Sequence, residues 1–81
     1  MRVVSETTRL DLKITIYNWN NKYLLKFENG LFEQTYKVSA LDVTGDSDLL
    51  NILDDELFLA QVKQSFTQME ANFSDSLNRV V

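Results

Sequence analysis

Tyr23-Leu24-Leu25-Lys26-Phe27-Glu28-Asn29-Gly30-Leu31-Phe32-Glu33-Gln34-Thr35-Tyr36-Lys37-Val38 decides the fold. Two strongly patterned runs flank Asn29-Gly30. A two-residue type I′ turn needs φ > 0 at both central positions, and Asn-Gly meets that need at the lowest steric cost. Folding about this turn pairs Glu28 with Leu31, Phe27 with Phe32, Lys26 with Glu33, Leu25 with Gln34, Leu24 with Thr35 and Tyr23 with Tyr36. Side chains alternate faces along a strand, so Tyr23, Leu25, Phe27, Phe32, Gln34 and Tyr36 share one side. Lys26 and Glu33 meet on the other as an opposite-charge pair.

Upstream, Arg9 to Asn18 alternates cleanly, with Leu10, Leu12, Ile14 and Ile16 inward. A turn at Asn20-Asn21 sets Ile16 opposite Leu25 and Ile14 opposite Phe27, on the apolar face already found. Residues 1–8 show no period and are expected to be a frayed lead-in. Residues 9–38 are thus expected to form a three-stranded antiparallel meander. Tyr17, Trp19 and Leu24 fall on its outward face, where the pattern does not require apolar groups. They form one candidate recognition patch, because Trp and Tyr are over-represented at binding hot spots.

Downstream, Asp46-Ser47-Asp48 offers capping oxygens ahead of a short helical turn at Leu49 to Leu53. Asp54-Asp55-Glu56 suits the first turn of a second helix, where the macrodipole favours negative charge. From there Leu59, Val62, Phe66, Met69, Phe73, Leu77 and Val80 recur at steps of three and four, which is helical periodicity. Leu49, Leu50, Leu53 and Leu57 miss this stripe, so a bend is expected near Asp54–Glu56. A helix from Asp55 to Val80 spans roughly 39 Å at 1.5 Å per residue. Eight strand residues span only about 27 Å. Phe73, Leu77 and Val80 are therefore expected to overrun the sheet and to need a cover, which makes them a second candidate patch.

Composition narrows the chemistry. The chain has 81 residues, 44% hydrophobic and 25% charged, as expected of one globular domain spanning 1–81. Histidine and cysteine are both absent, which removes the commonest general base, the commonest metal ligand and all thiolate chemistry. Two glycines rule out a Gly-rich phosphate loop. Net charge is −4 and uneven: residues 1–39 carry six basic and four acidic side chains, residues 40–81 two basic and eight acidic. An acidic chain without a basic stripe is a poor match for nucleic acid or an anionic membrane. No stretch approaches the ~20 apolar residues of a membrane span.

Together these features predict an α+β fold: a three-stranded antiparallel β-meander, then a short helix and a long C-terminal amphipathic helix (46–80 for the helical part) packed on one face of the sheet. The expected function is a small cytoplasmic, non-enzymatic protein-interaction module without cofactor or metal. It is expected to form a homodimer through a strand edge or the C-terminal helix, with Tyr17, Trp19, Leu24, Phe73, Leu77 and Val80 as the candidate surface. The alternative is an accessory domain binding a small ligand, or a divalent metal at the acidic loop Asp42–Asp48, which lacks the EF-hand ligand order.

Overall fold

A computed structural model describes all residues, 1–81. The fold is α+β with one antiparallel sheet and a long C-terminal helix. The sheet has four strands, not three: β1 (Arg2–Arg9), β2 (Leu12–Trp19), β3 (Lys22–Glu28) and β4 (Glu33–Ser39), in the order β1-β2-β3-β4. A single 3₁₀ turn, Ala40–Asp42, leads to α1 (Asp46–Ile52) and α2 (Glu56–Val80).

The additional strand occupies residues expected to fray. Its β-branched residues Val3, Val4, Thr7 and Thr8 favour a pleated chain. A bulge between Val3 and Ser5 breaks the alternation, which is why no period is visible there. The turn joining β1 to β2 is equally hidden. Leu10 and Asp11 adopt φ of 53° and 65°, the left-handed geometry of a two-residue hairpin turn. Leucine is not a turn residue, and Leu10 is in phase with Leu12, Ile14 and Ile16, so the sequence runs through the turn as if it were strand. The consequence is that Leu10 is 48% exposed, not inward.

Holding a leucine in the left-handed region costs about 1–2 kcal/mol. Asparagine tolerates that region. Leu10→Asn is therefore expected to stabilise the domain by about 1 kcal/mol, read as a higher urea midpoint with an unchanged slope. A lower midpoint would show that the Leu10 side chain contributes more than its backbone geometry costs.

Between β2 and β3 the register is the expected one: Ile14 faces Phe27, Ile16 faces Leu25 and Tyr17 faces Leu24. Asn20 and Asn21 take φ of 53° and 62° at the turn. Between β3 and β4 the register shifts by two, so Phe27 pairs with Gln34 and Leu25 with Tyr36. The cause is the Asn29 side chain. Its Oδ1 accepts from the Leu31 and Phe32 amides at 3.1 and 2.9 Å, opening a four-residue loop where a two-residue turn is expected. An even shift leaves each side chain on its own face. Lys26 and Glu33 still meet at 3.3 Å, now diagonally.

One face of the sheet carries the core. Leu12, Ile14, Ile16, Tyr23, Leu25 and Phe27 are buried against Leu49 and Leu53 from the α1 region and Leu59, Val62 and Phe66 of α2. Phe27, Tyr36 and Phe58 form edge-to-face contacts at 5.5–5.8 Å between centroids. Gln34 Nε2 donates to the Val62 carbonyl at 3.0 Å, tying β4 to the same helix.

The break between helices falls where the acidic run lies. Asp55 caps α2, its Oδ1 accepting from the Phe58 amide at 3.1 Å. At α1 the capping differs from expectation. Gly45 occupies the N-cap without a side-chain bond, while Asp48 reaches back to accept from the Thr44 amide and hydroxyl at 2.8 and 2.9 Å. Asp46 is left to turn toward the sheet.

Candidate interaction surface

The six candidate residues do not form one patch. Tyr17 and Leu24 are cross-strand partners on the uncovered face of the sheet. Val3 extends their row onto β1, and Met1 lies beside them in a shallow 290 Å³ depression that also includes Lys26, Glu33 and Thr35. Trp19 sits at the end of β2, half-exposed, with the Lys22 ammonium 5.5 Å from its ring centroid. That cation–π contact and the flanking turn account for Trp19 as a hairpin-end brace.

Phe73, Leu77 and Val80 lie elsewhere, on the last turns of α2. Phe66 is buried, whereas Phe73 is 54%, Leu77 43% and Val80 75% exposed. The 25-residue helix is about 37 Å long. The molecule extends 46 Å on its longest axis and only 26 and 19 Å on the others. Within the chain, Phe73 meets the β3–β4 loop through Phe32, edge-on at 6.1 Å. Trp19, by contrast, flanks the Asn20-Asn21 turn at the other end of the strands. The two groups thus occupy opposite faces and opposite ends of the sheet.

The structure also assembles a polar constellation invisible in the sequence. Asp46 accepts two bonds from the Arg2 guanidinium at 3.0 and 3.1 Å and one from the Tyr23 hydroxyl at 2.6 Å. It links the start of β1, the start of β3 and the first turn of α1. Only a chain in which β1 is a strand brings Arg2 there, so no local pattern reveals it. Hydrogen bonding from Arg2, then from Tyr23, holds the Asp46 carboxyl below its ordinary value of 3.8. The bond to Asp46, then burial, raises the Tyr23 phenol above its ordinary value of 10.0. Asp48 is likewise lowered by its Thr44 bonds.

These shifts have opposite consequences for stability. Asp46 is deprotonated in the folded chain at pH values where the unfolded chain has begun to bind a proton. Its contribution is present above 3.8 and lost as pH falls through the lower folded value. Tyr23 keeps its proton in the folded chain where the unfolded chain has released it. Its contribution is present below 10.0 and lost as pH rises through the higher folded value. Melting temperature is thus expected to fall at both extremes, with Tyr23→Phe flattening the alkaline limb and Asp46→Asn the acid one. Unchanged limbs in both variants would mean that the bonds do not persist in solution.

Of the acids of the 42–48 loop, Asp46 is engaged by Arg2 and Tyr23 and Asp48 by Thr44, and no three acidic groups converge as a metal site would require. A cleft of about 220 Å³ opens between the Leu10-Asp11 turn and the middle of α2, lined by Lys63, Phe66, Thr67 and Glu70. Lys63 Nζ and Asp11 Oδ2 stand 3.9 Å apart across it, both half-exposed or more, so the pair contributes little.

No helix is long and apolar enough to cross a membrane. No protein-family model, curated protein or solved structure matches the chain.

Of the strand edges open to the expected homodimer, that of the Arg9–Asn18 strand is not available. That strand, β2, is paired on both sides, by β1 and β3. The free edges are β1 and β4. Bulged β1 is a poor template for edge-to-edge pairing.

Proposed function

We propose that the chain is a small, non-enzymatic protein-interaction module that associates with a second copy of itself through the distal half of α2. The observation that carries this reading is the overhang. Phe73, Leu77 and Val80 continue the stripe that buries Leu59, Val62 and Phe66, yet they pass beyond the sheet and remain exposed. An apolar helical stripe of this kind is stabilised by a matching stripe on a partner. A two-fold pairing gives each overhang the other as its cover. The absence of histidine and cysteine, and carboxylates that do not converge, favour binding over catalysis.

Sedimentation equilibrium tests the reading. The expected result is a mass that rises above 9.4 kDa with concentration and returns to that value in Leu77→Asp. A 9.4 kDa species persisting at high micromolar concentration would overturn it.

A further inference from the structure

We infer that β1 is an exchangeable strand. The Leu10-Asp11 turn can straighten so that Arg2–Trp19 becomes one continuous strand, and β1 then pairs with β2 of a second copy. Three observations meet at this hinge. First, both turn residues sit in the left-handed region, at φ of 53° and 65°, and one of them is a leucine with no side-chain hydrogen bond to stabilise it there. Short hinges under strain favour exchange, because extension releases the strain.

Second, the apolar pattern does not stop at the turn. Leu10 continues the inward series Leu12, Ile14 and Ile16, so an extended hinge moves it from a half-exposed turn position to the core face. The sequence specifies a straight strand across residues 9–18 as well as it specifies the hairpin.

Third, β1 is lightly held. None of its residues is buried. Apart from the strand ladder, its ties include the exposed pairs Arg2–Asp46 and Glu6–Lys13, at 3.0 and 3.3 Å. Exchange between two copies reproduces every one of these contacts, since β1 of each chain occupies the same groove in the other. The net change lies at the hinge. The partner is a second copy of this chain, and the association is separate from the one proposed at the α2 overhang.

A disulfide trap distinguishes the two. Thr8 and Lys13 face each other across the β1–β2 ladder, and the chain contains no cysteine to interfere. Thr8→Cys/Lys13→Cys protein is equilibrated at millimolar and at low micromolar concentration, oxidised, and run on a denaturing gel without reductant. The expected result at millimolar concentration is a band at twice the chain mass that disappears on reduction and is absent from the dilute sample. Adding Leu10→Asn and Asp11→Gly, which relieve the turn, is expected to reduce that band at least several-fold. A single-chain band at all concentrations would overturn exchange, even if the native protein sediments as a dimer through α2. A double-mass band undiminished by the turn substitutions would overturn the hinge as its cause.

Discussion

Phe27→Ala is expected to leave the chain largely unfolded at room temperature, as far-ultraviolet circular dichroism and a urea titration would show. Phe27 is fully buried near the end of β3, opposite Ile14 on one side and Gln34 on the other. Its ring contacts Tyr36 and Phe58 edge-on. Truncating a buried phenylalanine costs about 3–5 kcal/mol, as transfer free energy and cavity together. An 81-residue domain has roughly 4–12 kcal/mol of stability in all. The lost edge-to-face contacts add to the deficit. A domain this small has one core and no second site to compensate. A variant retaining a cooperative transition within about 1 kcal/mol of the parent would show that Phe27 is not where the sheet meets the helix.

The second large effect is a contrast along one helix. Phe66 and Phe73 stand seven residues apart on the same stripe of α2, so sequence periodicity makes them equivalent. Their surroundings do not. Phe66 is 2% exposed, in one core with Val62 of its own helix and Leu12 and the other buried sheet residues. Phe73 is 54% exposed and touches the sheet region through Phe32. Phe66→Ala is expected to cost about 3–5 kcal/mol. Phe73→Ala is expected to cost about 1 kcal/mol or less in the monomer, mainly the Phe32 edge contact. Urea midpoints of the two variants in dilute protein decide the matter. Equal losses would place the distal helix inside the fold and remove the overhang on which the proposed self-association rests.

Much of this architecture was legible where several local signals agreed. At Asn20-Asn21 the turn residues, the alternation of β2 and the pattern of β3 all chose one register, and the structure adopts it. The steps of three and four from Leu59 to Val80 identified the helix, and its length against that of the strands foretold the overhang. Failures came where a signal was shared by two geometries. Asn29 favours a type I′ turn through its backbone, but its side chain can also accept from the Leu31 and Phe32 amides, and that wider loop prevails. Leu10 fits the strand pattern, so nothing marked residues 10–11 as a turn. With that turn hidden and a bulge breaking its alternation, β1 has no legible pattern, and neither has the Arg2–Asp46–Tyr23 constellation that depends on it. The relative placement of the two candidate patches is likewise beyond any local pattern. Periodicity assigns a residue to a face, but only topology says that Tyr17 and Phe73 lie at opposite ends of the molecule.

The central claim is a four-stranded sheet sealed on one face by the first half of α2, with the second half beyond it. Amide hydrogen exchange in dilute protein measures this directly, because protection follows the free energy of the opening that exposes each amide. The expected result is slowest exchange through Leu12–Trp19, Lys22–Glu28 and Leu59–Phe66, measurable protection in Arg2–Arg9, and fast exchange from Phe73 to Val80. Protection from Phe73 to Val80 as strong as that from Leu59 to Phe66, or none across Arg2–Arg9, would contradict it.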